Sequence, residues 1–173
     1  SWFAWSCLLG ILLGQNGENK SGFPSGTSEL EIIDLGCGDG TPTVEMAKFA
    51  TRVIGVDFNP DMLASARQRI DRLGLQNVKL LAEDVGNLSL PAESLDVVFF
   101  SQSLHHLDNP QRGFQEAARI LRPGGKVLVM ELATHSEEWV LEKLGHKWLG
   151  FEKETLHDFM QTAGFSNLYS QIL

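Results

Sequence analysis

The sequence is poor in basic residues and cysteines, and it has no long apolar run. Its 173 residues include 14 Lys and Arg against 22 Asp and Glu, which gives a formal net charge of −8 at pH 7. The electric field of this negative charge repels a phosphate backbone, so we do not expect direct nucleic-acid binding by this segment. The hydrophobic content of 43% and the charged content of 21% argue against disorder. The length fits one domain with its own core.

The two cysteines, Cys7 and Cys37, are too few for a disulfide framework or a cysteine-based metal site. Cys37 stands inside a glycine-rich loop, where a disulfide would distort the turn. We therefore expect a reduced, cytoplasmic setting.

The apolar segment at residues 2–13 is shorter than the roughly 20 residues that a helix needs to cross a membrane. It also lacks the basic region and the cleavage site of a signal peptide. We predict an amphipathic helix and a glycine-rich linker over residues 1–28, a single main domain over residues 29–173, and no membrane association. The chain begins with Ser1 rather than with methionine, so we expect a piece of a longer protein.

Strand and helix signals alternate through the rest of the chain. Asn59-Pro60 and Asn109-Pro110 are typical starts of helices. Alternation of this kind predicts a Rossmann-like, doubly wound, mostly parallel sheet with helices on both faces. The predicted strands are Ile32–Leu35, Val53–Val56, Val78–Leu81, Leu95–Ser101 and Lys126–Leu132.

The most informative segment runs from Glu31 to Gly40, where an apolar run meets the acid Asp34 and opens into three glycines with the spacing G-x-G-x-G. A dinucleotide fingerprint has the form G-x-G-x-x-G, and here Thr41 occupies its last position. This variant points to S-adenosylmethionine (SAM), which carries no phosphate and has a positive sulfonium. Asp34 could accept hydrogen bonds from the ligand's ammonium, hold the loop, or simply be a solvated acid.

Two further acids follow strands. Asp57 ends the second strand, 19 positions after Gly38, where an acid hydrogen-bonds ribose hydroxyls in Rossmann sites. That spacing suits NAD as well as SAM, and taken alone Asp57 could be a capping residue. Asp84 follows the third strand and could accept from an adenine amino group, or it could be a solvated loop acid.

The fourth strand leads into His105 and His106. Either imidazole could orient or deprotonate a methyl acceptor, and either could equally be part of the pocket wall. Adjacent side chains point in opposite directions in extended structure, so the pair should not share a metal ion, and we predict no metal site.

The pattern between Glu31 and Leu132 resembles the class I SAM-dependent methyltransferases, in the small-molecule branch of the menaquinone and ubiquinone methyltransferases (methyltransferase type 11-like). The resemblance rests on the glycine loop, Asp57, Asp84, the strand at Leu95–Val98 and the turn at Leu121–Gly125. It implies SAM or S-adenosylhomocysteine (SAH) as cofactor. The residues it implies for binding are Asp34, Gly36, Cys37, Gly38, Asp57, Phe58, Met62, Asp84, Val85 and Ser101.

The C-terminal part, from His135 to Phe151, is similar to the methyltransferase module fused behind ArsR-type winged-helix regulators. This implies an upstream DNA-binding domain, and a homodimer is a candidate assembly. Family sheets end in an antiparallel pair, so we expect an antiparallel strand at Ser166–Leu173 and a truncated sheet. The cysteine set of the arsenite methyltransferases is absent, which disfavours arsenic methylation.

The sequence thus predicts methyl transfer from SAM to an unidentified small molecule. A non-enzymatic SAM-sensing module attached to a regulator is the first alternative, because it keeps the same cofactor residues. An NAD-dependent oxidoreductase is the second, and Thr41 in place of the third glycine disfavours it.

Overall fold

The structure is a computed structural model that describes residues 30–170. The helix predicted at residues 2–13 and the linker up to residue 28 lie outside the described residues, as do residues 171–173.

Strands and helices alternate along the described chain. The strands are β1 (Glu31–Leu35), β2 (Arg52–Asp57), β3 (Val78–Ala82), β4 (Leu95–Ser101) and β5 (Leu121–Met130). The helices are α1 (Thr41–Met46), α2 (Pro60–Arg72), α3 (Pro110–Ile120), α4 (Trp139–Lys143) and α5 (Lys153–Thr162), and a short 3-10 helix spans Leu104–His106.

The two Asn-Pro pairs begin helices as predicted. The Asn59 side chain accepts from the amides of Asp61 and Met62, and Asn109 accepts from that of Arg112. These caps satisfy amides that have no partner within the helix, and they fix where α2 and α3 leave the sheet.

The sheet has the strand order β3-β2-β1-β4-β5, and every pairing between these strands is parallel. Strand order reverses between β1 and β4, so a crevice opens beyond their carboxyl ends. The prediction of a Rossmann-like parallel sheet is confirmed.

Both faces of the sheet are buried. Along β1, Ile33 and Leu35 join the larger core cluster with α3 and α5, whereas Ile32 joins a second cluster with Met46 and Ala47 of α1. Successive residues of a strand point to opposite faces, so this split shows helices covering both sides.

The predicted antiparallel strand at Ser166–Leu173 is wrong for the residues that the structure describes. Residues 166–170 are not in a strand, and all five described strands are parallel. Phe165 packs against the larger core cluster, and Asn167 has a φ of 56°, which interrupts an extended conformation.

The fifth strand begins earlier than predicted, at Leu121, which pairs with Leu95. The register then shifts, because Val97 pairs with Lys126. The segment Leu121–Gly125, which the sequence analysis describes as a turn, is therefore an irregular part of β5. Arg122 in this segment donates to Asp96 at 2.7 Å and to Glu31 at 2.6 Å, which ties β5 to β4 and β1.

Candidate functional site

A wide cleft opens beyond the carboxyl ends of β1, β2 and β4 and continues along β5. Eight of the ten predicted cofactor residues line it, together with one of the two predicted catalytic histidines. These lining residues are Gly36, Cys37, Gly38, Asp57, Phe58, Met62, Val85, Ser101 and His106. Asp34, Asp84 and His105 do not line it.

The glycine loop is anchored to the end of β2. The amides of Gly36 and Cys37 both donate to the carbonyl of Val56, at 2.8 and 2.9 Å. A Cβ built on Gly36 would lie 2.4 Å from the Cβ of Ser103, and φ at Gly36 is +78°. Glycine is required at this position because the loop after β4 packs directly on the turn.

Asp57 joins the glycine loop to the start of α2. Its Oδ2 accepts from the Gly38 amide at 2.9 Å, and its Oδ1 accepts from the Asn59 amide at 2.9 Å. A carboxylate has about four acceptor sites, so oxygen lone pairs remain for two ligand hydroxyls. The side chain is thus preset at the cleft wall.

Two large apolar side chains stand beside Asp57 at the cleft. Phe58 is 74% exposed and Met62 is 42% exposed. Apolar area left open next to a hydrogen-bonding carboxylate suits a flat ring that carries a ribose.

Asp34 is fully buried beneath the loop. Its Oδ2 accepts from the Thr43 hydroxyl at 2.6 Å, and its Oδ1 has no hydrogen-bond partner among the described residues. Burial raises the pKa of Asp34 to about 7, against the lowering effect of Thr43, and the charge of Asp57 adds to the rise. This position favours the alternative in which Asp34 holds the loop over direct contact with a ligand.

Asp84 is not among the residues that line the cleft. Its Oδ1 accepts from the Gly86 amide at 2.8 Å, and its side chain is exposed. The next residue, Val85, is buried and lines the cleft. Of these two residues, only Val85 borders the cleft.

The two histidines do not lie in extended structure. Leu104–His106 forms a 3-10 helix, and the ring centroids of His105 and His106 are 4.3 Å apart. The premise that adjacent side chains diverge is therefore wrong here. His105 is buried, whereas His106 faces the cleft.

Glu131, just beyond β5, holds this short helix in place. One carboxylate oxygen accepts from the amides of Leu104 and His105, and the other accepts from His105 Nδ1 at 2.6 Å. Its side chain is 1% exposed. Glu131 is not among the site residues predicted from the sequence, although it directly follows the carboxyl end of β5, where parallel sheets place ligand-binding residues.

His146 was also missed, and no sequence signal links it to residues 40 positions earlier. Its ring centroid lies 4.2 Å from that of His105 and 4.8 Å from that of His106. Desolvation and then the neighbouring imidazoles lower the pKa of His146, and desolvation and then His105 lower that of His106. The neutral forms of both side chains are therefore favoured at neutral pH.

The methyltransferase domain family matches residues 33–129, which is more than half of the chain. The chain belongs to this family. The prediction of a domain of the SAM-dependent methyltransferase class is confirmed at this level.

Named relatives give the same class. The chain is 32% identical to a demethylmenaquinone methyltransferase of Clavibacter sepedonicus over 60% of this chain and 41% of that protein. It is 29% identical to a rice chloroplast 2-methyl-6-phytyl-1,4-hydroquinone methyltransferase over 80% of this chain and 42% of that protein. The structure of phosphoethanolamine N-methyltransferase 2 from Haemonchus contortus, in complex with SAM, is similar with a TM-score of 0.75 and 25% identity, over 94% of this chain and 37% of that one.

The chain spans less than half the length of these three proteins. Among the helices of residues 30–170, none is both long and apolar enough to span a bilayer.

Proposed function

We propose that the protein transfers a methyl group from SAM to a small-molecule acceptor. The observation that carries this proposal is the carboxylate of Asp57, fixed by the Gly38 amide at a cleft that also presents Phe58 and Met62. The ribose of SAM would take the free acceptor sites of Asp57. The adenine ring would lie on the two apolar side chains.

Methyl transfer needs little from the protein beyond positioning. The sulfonium is already activated, so aligning acceptor, methyl group and sulfur in line can supply up to about 7–11 kcal/mol of the acceleration. The cleft continues from the glycine loop past His106 to β5, which leaves room for an acceptor beside the donor. This supports His106 as the side chain that orients the acceptor.

We expect Asp57→Ala to weaken SAH binding by about 1–3 kcal/mol, because the Gly38 and Asn59 amides lose their acceptor and the ribose hydroxyls lose theirs. Isothermal titration calorimetry with SAH measures the change. Asp71→Ala is the matched control, since Asp71 is an exposed acid near the far end of α2. Equal affinity in Asp57→Ala and the control would contradict the ribose assignment.

The alternatives are separated by two measurements on the full chain. Calorimetric titration with SAM and with NAD distinguishes the cofactors, and binding of NAD without SAM would overturn the proposal. Incubation with SAM labelled in its methyl group, together with a metabolite extract, then tests transfer. SAM binding without transfer to any acceptor would favour the SAM-sensing module.

We also propose the wider setting indicated by the C-terminal resemblance. Residues 135–151 support a module that follows a winged-helix DNA-binding domain, in a cytoplasmic protein that could form homodimers. In this setting residues 1–28 link that domain to the methyltransferase domain at residues 29–173.

A further inference from the structure

Three imidazoles meet at the edge of the cleft although they come from two distant parts of the chain. The nitrogens that His105, His106 and His146 can offer to a metal ion all lie within 4.8 Å of one another. Metal–nitrogen bonds of 2.0–2.1 Å place tetrahedral ligands about 3.4 Å apart, so the longest separation must close by about 1.4 Å. Rotation of the side chains can supply a movement of this size.

Each imidazole has a nitrogen left to coordinate. His105 uses Nδ1 in its contact with Glu131, which leaves Nε2. His106 lines the cleft and offers one ring nitrogen to the same cluster. Nδ1 of His146 is buried and has no hydrogen-bond partner among the described residues. A buried unpartnered nitrogen is costly unless a ligand satisfies it.

The surroundings have the features of a supported metal site. Metal-bound histidines generally place their second nitrogen on a carboxylate or a carbonyl, and Glu131 fills that role for His105. The loop that carries His146 is held on the same short helix, because the amides of Lys147 and Trp148 both reach the His105 carbonyl, at 2.7 and 3.3 Å. The two segments are thus fixed relative to each other before any ion binds.

We propose that His105, His106 and His146 form a binding site for a divalent transition-metal ion of the Zn²⁺ type. Imidazole ligands suit Zn²⁺, Ni²⁺ and Cu²⁺ and do not suit Mg²⁺ or Ca²⁺. Three protein ligands leave a fourth position open, which is the arrangement of a catalytic rather than a structural zinc site. His106 lines the cleft, so the ion borders the space assigned above to the acceptor.

A role in methyl transfer follows, and this step rests on the proposed function. The ion would bind a hydroxyl or thiol of the acceptor at its open coordination position. It would lower the pKa of that hydroxyl or thiol, which favours the anionic nucleophile. The acceptor class would then be one with an ionisable oxygen or sulfur.

Titration of the metal-free full chain with Co²⁺, followed by competition with Zn²⁺, tests the site. We expect one equivalent of Co²⁺ to give the visible absorption of a four-coordinate ion, and Zn²⁺ to abolish it. His146→Gln should weaken the affinity for Zn²⁺ by more than about 100-fold, because the loss of a supporting partner alone costs 10–100-fold. His157→Gln is the matched control, since His157 lies on α5 outside the cluster.

Glu131→Gln changes the residue that supports His105 and leaves the three histidine ligands in place. It should weaken Zn²⁺ binding by about 10–100-fold. Thermal unfolding of every variant without metal checks that each is folded. Absence of a Co²⁺ spectrum, or equal Zn²⁺ affinity in His146→Gln and His157→Gln, overturns the site. Calorimetry with SAH on the same samples distinguishes failure of the metal site from failure of the proposed function. A wild-type protein that binds Zn²⁺ but not SAH counts against the methyltransferase proposal alone.

Discussion

Gly36→Ala should destabilise the protein by about 2–5 kcal/mol. The new Cβ would lie 2.4 Å from the Cβ of Ser103 and 3.1 Å from its Oγ, in a backbone conformation with φ of +78° that side chains disfavour. The Ser103 hydroxyl donates to the Leu35 carbonyl at 2.6 Å, so moving it also breaks a buried hydrogen bond. The free energy of unfolding, measured by urea denaturation, reports the loss.

Two further variants separate the cost of the steric clash with Ser103 from the cost of the positive φ. Gly74→Ala has a similar φ of +66° with nothing within 4 Å of the new Cβ, so it should lose only about 1–2 kcal/mol. Adding Ser103→Gly to Gly36→Ala removes the colliding atoms and should recover part of the loss. Equal destabilisation by the two alanine variants would mean that the close approach of the β4 loop is unimportant.

Gly38→Ala extends the comparison to binding. Its φ is +53° and its Cβ would meet nothing within 4 Å. Its effect on stability should therefore match that of Gly74→Ala. Because Gly38 lines the cleft, only this variant of the two should also weaken SAH binding.

Most of the fold could be predicted from local signals. Apolar runs favour strands and the two Asn-Pro pairs start helices without help from distant residues. For this reason β1 to β4, α2 and α3 lie where the sequence predicts them. The start of β5 could not be predicted in this way. Proline and two glycines normally end an element, and only pairing of Leu121 with Leu95 and the ion pairs of Arg122 make this segment part of the sheet.

The same distinction between local signals and long-range contacts applies to the candidate site. The sequence predicts Gly36, Gly38 and Asp57 because a strand, a turn and a fixed spacing determine their positions. The structure brings these three residues to one cleft. The histidine cluster depends on a loop that returns to the sheet 40 residues after His106 and on Glu131 beneath it. Contacts of that range leave no periodic trace in the sequence, and a three-residue helix replaced the extended structure assumed for His105 and His106.

Replacing Asp34 by Asn should remove a pH dependence from the stability of the protein. The pKa of Asp34 is raised from 3.8 to about 7, first by burial and then by the charge of Asp57. Between these two values the folded state keeps a proton that the unfolded state releases. Rising pH therefore favours unfolding, and the stabilisation present below about pH 4 is lost as pH approaches 7, by roughly 4 kcal/mol at 1.36 kcal/mol per unit.

The measurement is urea denaturation of the wild type and Asp34→Asn at several values between pH 5 and pH 8. The stability of the variant relative to the wild type should rise by about 1.4 kcal/mol per pH unit up to pH 7 and stay level above it. Asp71→Asn, at an exposed acid, should give a flat difference. A flat difference for Asp34→Asn as well would show an ionised carboxylate under the loop. That result would restore direct attraction of the ligand's ammonium, whereas the expected slope makes Asp34 a protonated support for the glycine turn through Thr43.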